Sequence, residues 1–382
     1  MVKKIFLVVF ALVLVVVGLS FTNQFSHLRN FVSWGVHTIH DYNTHPLRKV
    51  AKGDDPQPWS YDSAYNSKQI PDALQAIIDS NDTHAFLVIQ DGKLIYERYW
   101  DNYDSSRLSG SFSAAKSIVS LLIGIALDEG KIKSLDEPVG NYVDHFKTKG
   151  LEKVTIKDLL TMSSGTNYYE GDKSYFSLNA YGYYGDDLEH MVQMMEKKEE
   201  PGQFWQYRSG DTQVLGFVVE KVFGDNISNL VSERFYKPMG AEYDAFWLLD
   251  GKEKREKAFC CFNGVARDYA RFGQLVLNNG RWNGKQIVSE KYIKEAISPA
   301  MYLKDREENN APVDFYGYQY WILKHSGVTA IAQNGLFGQY VYIIPEKNAV
   351  VVRLGESKVT KHIHHFQPEN FTYVDAALSV LK

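Results

Sequence analysis

A serine and a lysine three residues apart carry the clearest chemical signal in this chain. Ser113 precedes Lys116 at the start of a segment with helical periodicity. A serine hydroxyl is a weak nucleophile at neutral pH and needs a base. On a helix, residues three apart share one face, and burial lowers the pKa of a lysine amine so that its neutral form can accept a proton. The first turn of a helix also presents free N–H groups that can bind an oxyanion.

These residue types predict a serine hydrolase that forms an acyl-enzyme on Ser113. The same spacing occurs again at Ser379 and Lys382, among the final residues, where chain ends tend to fray. The first pair differs because it begins a helix predicted to run to Glu129, with apolar residues spaced three and four apart and Gly130 ending it. We therefore prefer Ser113 as the candidate nucleophile because it lies at the start of a helix, and not because of the spacing alone.

Elements from both ends of the chain are predicted to build one sheet around this helix. Residues 85–90 and 93–99 flank Asp91-Gly92, a dipeptide typical of a two-residue hairpin turn. The other predicted elements are a helix over 71–80, strands over 318–322, 339–344 and 349–354, and a final helix over 373–382. We expect an α+β fold, with an antiparallel sheet flanked by helices, a helical lobe inserted at about 134–250, and a site in the cleft between lobe and sheet.

The N-terminus predicts a membrane segment. Two lysines precede an unbroken apolar run over residues 5–19, and the basic end of such a run stays cytoplasmic. We expect residues 1–21 to be an uncleaved signal anchor, embedded over about 5–21, with a cleaved signal peptide as the alternative. A membrane-proximal arm over 22–69 and a hydrolase domain over 70–382 then lie outside the cytoplasm, in the periplasm or at the cell surface.

Composition excludes some classes of partner. The formal net charge is −4, which gives no basic face for nucleic acid. The two cysteines, Cys260 and Cys261, are adjacent; they cannot join distant parts of the fold, and we expect two buried thiols. His362, His364 and His365 cluster in the sequence but lack the aspartate of a His-x-His-x-Asp metal motif. We therefore expect neither a metal nor a cofactor.

Several further motifs follow one another along the chain. They are Ser-Ala-Ala-Lys (113–116), Lys-Ser-Leu-Asp-Glu-Pro-Val (133–139), Ile-Lys-Asp-Leu-Leu-Thr-Met-Ser-Ser-Gly (156–165), Tyr-Arg-Ser-Gly-Asp-Thr-Gln (207–213), Ala-Arg-Asp-Tyr-Ala-Arg-Phe-Gly (266–273) and Gly-Leu-Phe-Gly-Gln (335–339). In this order they resemble the serine β-lactamase and penicillin-binding-protein superfamily, and most of all its branch that contains class C β-lactamases, related esterases and 6-aminohexanoate-dimer hydrolases. The resemblance covers about residues 70–382 and implies a β-lactamase/transpeptidase-like fold without a cofactor.

The resemblance also implies roles for residues outside the Ser-x-x-Lys pair. The family's Tyr-x-Asn triplet reads Tyr-Arg-Ser here, so Tyr207 would be a second acid/base, and Ser209 replaces the asparagine as in the aminohexanoate-dimer hydrolases. The backbone N–H groups of Ser113 and Leu336 would form the oxyanion hole. Ser209, Asn334 and Gly335 are then candidates to contact the substrate.

One family motif is missing. The usual Lys-Thr-Gly has no counterpart, and the matching stretch reads Gln-Asn-Gly-Leu over 333–336. That lysine commonly holds a substrate carboxylate, so its loss disfavours β-lactamase activity. A rival placement, His-Ser-Gly over 325–327, falls where we expect a turn. Asn263 could line the pocket or serve turn chemistry, whereas Arg267 and Arg271 are expected to make structural ion pairs.

The expected substrate is a small-molecule or peptide-like amide or ester. No Gly-x-Ser-x-Gly elbow of an α/β-hydrolase is present. One alternative is a cell-wall D,D-peptidase or β-lactamase, which the outward-facing anchor favours and the missing Lys-Thr-Gly disfavours. Another is a tethered binding or sensing module that does not turn over, which the joint presence of Ser113, Lys116 and Tyr207 disfavours.

Overall fold

The computed structural model describes residues 5–6, 10, 18, 22, 25–171, 174–252 and 254–382. Across these ranges, no helix combines the length and the apolar character that a membrane crossing requires. Most of the predicted anchor at 5–21 lies outside the described residues, so it stays a prediction.

The described strands are short except in the main sheet. They are β1 (Leu47–Val50), β2 (Ser60–Tyr61), β3 (Thr83–Gln90), β4 (Lys93–Tyr99), β5 (Ser109–Gly110), β6 (Phe204–Trp205), β7 (Ala245–Leu248), β8 (Phe262–Gly264), β9 (Arg281–Trp282), β10 (Lys285–Gln286), β11 (Lys304–Asp305), β12 (Trp321–His325), β13 (Val328–Gly335), β14 (Gln339–Ile344) and β15 (Ala349–Gly355).

The described α-helices are concentrated between β5 and β12, with one or two at either end of the chain. They are α1 (Ser26–Trp34), α2 (Asp72–Ser80), α3 (Ala115–Asp128), α4 (Ile156–Leu160), α5 (Leu178–Tyr184), α6 (Leu188–Gln193), α7 (Ser209–Phe223), α8 (Ile227–Val231), α9 (Ala266–Leu277), α10 (Glu290–Ala296) and α11 (Pro368–Val380).

Both chain ends meet in a seven-stranded sheet of order β12-β13-β14-β15-β3-β4-β2. Neighbouring strands are antiparallel, apart from the parallel pair of β2 and β4. The β3–β4 hairpin pairs with the C-terminal strand β15, where Val88 lies opposite Val351. The long connection from β4 to β12 carries the helical lobe. The α+β architecture predicted from the sequence is therefore confirmed.

Helices cover both faces of this sheet. Because successive side chains on a strand point to opposite faces, Leu87 and Val350 join one core with residues of α3, α7 and α9, while Val88 and Val351 join another with residues of α2 and α11. Every residue of β3 is buried, as expected for a strand covered on two sides. The result is a three-layer body in which α9 packs directly against β14 and β15, while α3 contacts the sheet at β13 and packs against α7.

Part of the predicted arm packs onto this body. β1 begins a second, four-stranded sheet of order β1-β7-β8-β5, in which Leu47 lies opposite Leu248. Helix α1 lies against α5, where the Asn30 side-chain amide donates to the Tyr184 carbonyl oxygen at 2.8 Å. The residues just after the predicted anchor thus contact the helical lobe.

Two predicted boundaries are wrong. The strand predicted over 318–322 is observed at Trp321–His325, because the chain turns at Gln319, whose φ is +66°. The last helix begins at Pro368 rather than at Tyr373, since proline fits the first turn of a helix.

The expected structural ion pairs of the two arginines are confirmed. Arg267 Nη2 lies 2.7 Å from Glu97 Oε2, and Arg271 Nε lies 2.8 Å from Asp268 Oδ1. These pairs tie α9 to β4 and to its own first turn.

Candidate active site

Ser113 lies in a 3₁₀ turn, Phe112–Ala114, that leads directly into α3. The turn is strained, because Phe112 has a φ of +44°, a region that costs a non-glycine residue about 1 kcal/mol or more. The Phe112 ring packs edge-on against Phe337, with ring centroids 5.2 Å apart. The packing of Phe112 against Phe337 thus holds Ser113 at the exposed N-terminal end of α3.

Lys116 lies beneath Ser113 on the first turn of α3. Its Nζ is 2.8 Å from Ser113 Oγ and 2.7 Å from the Phe259 carbonyl oxygen. The side chain is buried, and this burial lowers the pKa of Lys116 to about 8, while the negative charge of Glu170 acts in the opposite direction. A lysine with this pKa has an appreciable neutral fraction near neutral pH, which is what a proton acceptor for the serine needs.

Tyr207 lies on the other side of the lysine, two residues before α7. Its ring centroid is 5.1 Å from Lys116 Nζ and 5.5 Å from the Trp321 ring, on which it packs. Burial raises the pKa of the Tyr207 phenol well above its usual value; the Glu170 charge adds to this, and a hydrogen bond with Ser113 opposes it. The phenol therefore stays protonated, and it can donate a proton.

The end of β13 closes the site from the sheet side. Gly335 passes so close to the turn before the serine that a Cβ there would overlap the Ser111 carbonyl oxygen. Glycine is thus required for this approach, which brings Asn334 and Leu336 beside Ser113. The rival His-Ser-Gly placement is a turn, with Ser326 at a φ of +48°. It lies at the opposite end of β13, roughly 25 Å away at 3.3 Å per residue.

A cavity of about 920 Å³ opens above the serine. The predicted site residues that line it are Ser113, Tyr207, Ser209, Asn334, Gly335 and Leu336. Asn263 does not line it: this residue is buried in the second sheet, where its side-chain amide donates to the Cys261 carbonyl oxygen at 2.8 Å. The structure does not bring Asn263 to the site.

Glu170 is a charged cavity residue that the sequence did not reveal. Its carboxylate accepts hydrogen bonds from the Ser209 backbone N–H at 3.1 Å and the Ser209 hydroxyl at 2.9 Å. It also faces Lys116 and Tyr207 closely enough to influence both pKa values. No motif marked Glu170, because it lies in a loop of the lobe whose path the sequence does not define.

Gln319, also missed, joins the helices that hold the site. Its carbonyl oxygen accepts from the Ser117 hydroxyl at 2.7 Å, and its side-chain oxygen accepts from the Thr212 hydroxyl at 2.8 Å. Its side-chain amide donates to the Leu160 carbonyl oxygen at 2.8 Å. Gln319 thus links α3, through its backbone carbonyl, to α7 and α4, which its side chain contacts.

The expectation of two free thiols is wrong. Cys260 and Cys261 form a disulfide with each other, and Cys260 lines the cavity. Adjacent cysteines cannot join distant segments, and the bond between these two closes no long loop of the chain. The disulfide directly follows Phe259, whose carbonyl oxygen holds Lys116.

The rim of the cavity includes two segments that are far apart in the chain. Helix α1 and the residues after it contribute Phe31, Val36 and His37. The C-terminal loop contributes the histidine cluster predicted not to bind metal: His365 Nε2 lies 2.6 Å from Asp305 Oδ2. This hydrogen bond fixes the C-terminal loop against β11.

Comparison with known proteins matches the chain to one family over most of its length. The family model described as Beta-lactamase matches residues 78–365. A 6-aminohexanoate-dimer hydrolase of Paenarthrobacter ureafaciens is 25% identical over 336 residues, which is 82% of this chain and 83% of that protein.

Solved structures agree with this match. "Putative 6-aminohexanoate-dimer hydrolase from Bacillus anthracis" superposes with a TM-score of 0.76 and 26% identity, covering 91% of this chain and 94% of the other. A family VIII carboxylesterase superposes with a TM-score of 0.66 and 18% identity, covering 85% and 99%. The second likeness concerns the fold alone.

Proposed function

The chain belongs to the beta-lactamase family, and from this premise we propose that it is a serine hydrolase that cleaves amide or ester bonds through an acyl-enzyme on Ser113. The observation that carries the proposal is the 2.8 Å contact between Ser113 Oγ and the buried Nζ of Lys116. Three features meet at this point: a nucleophile, a base with a pKa near neutrality, and a cavity large enough for a substrate.

The first half of the reaction acylates the serine. Neutral Lys116 accepts the proton of the Ser113 hydroxyl, and Oγ attacks the substrate carbonyl. The N–H groups of Ser113 and Leu336 bind the oxyanion of the tetrahedral intermediate. Tyr207, whose phenol stays protonated, donates a proton to the departing amine or alcohol and regains one from Lys116.

The second half releases the acid. A water molecule gives a proton to the same Lys116–Tyr207 pair and attacks the acyl carbon, and Ser113 leaves with a proton. Every proton removed in one half is returned in the other, so the cycle needs no cofactor.

The preferred substrate class is a linear amide or ester rather than a β-lactam. The 6-aminohexanoate-dimer hydrolase relative, whose name describes cleavage of a linear amide, aligns over most of both chains. Gln333 and Asn334 stand where the lysine and threonine that would hold a β-lactam carboxylate are expected. Glu170 adds a negative charge to the same cavity, which disfavours a substrate carboxylate beside it.

The location of the enzyme is a separate part of the proposal. The two lysines and the apolar run over 5–19 support an anchor in the cytoplasmic membrane over about 5–21, with the catalytic domain on the outer side. Fractionation of cells, with protease added from outside, tests it: the domain should be in the membrane fraction and accessible. A soluble mature chain that begins near residue 22 would contradict the anchor.

Covalent labelling tests the chemistry. The wild-type chain should react with a fluorophosphonate, and Ser113→Ala should not; labelling that persists in this variant would refute the assignment. Initial rates with p-nitrophenyl esters, a linear 6-aminohexanoate dimer and nitrocefin then order the substrate classes. We expect nitrocefin to be the slowest.

A further inference from the structure

An exposed apolar surface borders the mouth of the catalytic cavity. On α1 and just after it, Val32 and Val36 are 82% and 67% exposed. On the adjoining loop, Tyr175 and Phe176 are 55% and 71% exposed. A group of large apolar side chains with this degree of exposure indicates a surface that contacts another apolar phase.

The two segments form one surface, because aromatic contacts join them. The Phe31 ring lies 4.8 Å from the Tyr175 ring, and the His27 ring lies 6.2 Å from the Phe176 ring, centroid to centroid. Phe31, Val36 and Tyr175 also line the cavity that contains Ser113. We call the exposed residues Val32, Val36, Tyr175 and Phe176 the mouth surface; it adjoins the cavity through Val36 and Tyr175.

Chain length holds the mouth surface close to the membrane. The predicted anchor ends at residue 21, and α1 begins at Ser26. An extended residue spans at most about 3.6 Å, so the intervening residues separate α1 from the end of the anchor by no more than roughly 18 Å. Helix α1 itself is only about 13 Å long at 1.5 Å per residue. The mouth surface is therefore within reach of the headgroup region.

The cavity suits a molecule with an extended apolar part. Its volume of about 920 Å³ falls at the upper end of the range for small-molecule sites. From mouth to serine its walls include Phe31, Tyr175, Tyr184 and Phe112. Tyrosine is a residue that settles at membrane–water interfaces.

We propose that the mouth surface lies on the outer face of the membrane and that the cavity takes the acyl ester or amide of an amphiphile from the bilayer. The inference rests on the proposed acyl-enzyme chemistry and on the proposed anchor. The acyl carbon forms a bond to Ser113 Oγ as its bond to the alcohol or amine breaks, and that leaving group takes a proton. Water then releases the fatty acid and restores the serine.

The experiment compares one enzyme on two esters. The full-length protein is reconstituted in phosphatidylcholine vesicles and assayed with p-nitrophenyl palmitate held in the bilayer and with p-nitrophenyl butyrate in solution. The test variant is Val32→Ser/Phe176→Ser, because neither side chain lines the cavity. The control is Ile77→Ser/Met301→Ser, which removes two apolar side chains that are 41% and 52% exposed elsewhere on the surface.

We expect the test variant to lose at least fivefold in the palmitate rate and to keep the butyrate rate within twofold of wild type. The control should change neither rate. Equal losses on both esters, or an unchanged palmitate rate, would overturn the inference.

Other outcomes separate the inference from its premises. Hydrolysis of butyrate that depends on Ser113, without any hydrolysis of palmitate, refutes the bilayer substrate and leaves the hydrolase proposal standing. Hydrolysis of neither ester, with no labelling of Ser113, refutes the hydrolase proposal itself. Failure of the wild-type chain to remain with the vesicles refutes the anchor, and the bilayer substrate with it.

Discussion

Removing the charge of Glu170 should make the enzyme faster at neutral pH. The carboxylate faces Lys116 and raises its pKa, against the larger effect of burial, which lowers that pKa to about 8. Glu170→Gln keeps a side chain of the same shape and an oxygen that can still accept a hydrogen bond from Ser209. The substitution removes the charge that favours the protonated lysine, together with one of the two oxygens that accept from Ser209. The pKa of Lys116 should therefore fall.

The size of the effect follows from the neutral fraction of the lysine. With a pKa of about 8, roughly one lysine in eleven is neutral at pH 7. If the pKa falls by one unit, which corresponds to about 1.4 kcal/mol, half of the lysines are neutral. The rate of acylation at pH 7 should then rise about fivefold, since it is proportional to the population of the neutral base.

The assay is the pH dependence of kcat/KM for p-nitrophenyl butyrate between pH 5 and 10. Wild type should show an acidic limb with its midpoint near 8, and Glu170→Gln should move this midpoint to lower pH while the plateau changes little. Glu308→Gln removes the same charge at the rim of the cavity and serves as the matched control, with no shift expected. A midpoint that stays in place or moves to higher pH in Glu170→Gln would refute Lys116 as the base.

The other predictions concern the remaining parts of the site. Tyr207→Phe should lower kcat by roughly 10²–10⁴-fold with intact folding by circular dichroism, as expected for loss of an acid/base group; a change below tenfold would contradict its role. Gln319→Leu should lower the free energy of unfolding by about 2–4 kcal/mol in urea titrations, because buried partners on α7 and α4 lose their hydrogen bonds to the side chain; an unchanged midpoint would contradict the bracing role. Gly335→Ala should lower activity at least tenfold, because its Cβ would meet the Ser111 carbonyl oxygen; wild-type kinetics would refute the close approach. In wild type, the unfolding free energy should rise with pH between about 8 and 10, because the lysine binds a proton there in the unfolded chain but not when it is buried at position 116. Lys116→Met should reduce this rise by up to about 3 kcal/mol; an unchanged dependence of the unfolding free energy on pH would show that the pKa of Lys116 is not lowered.

The elements with strong local patterns could be predicted from the sequence. The β3–β4 hairpin follows from alternating apolar residues around Asp91-Gly92, and α3 follows from its apolar spacing and Gly130. The shift of β12 was not predictable, because the aromatic alternation near Gln319 fits a strand and only the buried contacts of that side chain show a turn. A local sequence pattern therefore predicts a helix or strand correctly where no long-range contact favours another conformation.

The residues of the candidate site fall into the same two groups: those that a local pattern identifies and those that only long-range contacts bring in. Ser113 and Lys116 were identifiable because their i, i+3 spacing at a helix start makes them neighbours whatever the rest of the chain does. Motif order added Tyr207 and Leu336, which lie 94 and 223 residues further along the chain. Glu170 had no such marker, because only the path of a loop in the lobe brings it to the cavity.

What the sequence determined by itself is the family, together with a candidate nucleophile and a candidate base, since each depends on residues that are close in the chain or in a fixed order. Only the tertiary structure decided which other side chains face them. It excluded Asn263, added Glu170, joined Cys260 to Cys261 and placed α1 at the cavity mouth. The physical reason is that the burial of a side chain and the charges around it depend on all the residues near it in space. Most of those residues come here from segments that are far apart in the chain.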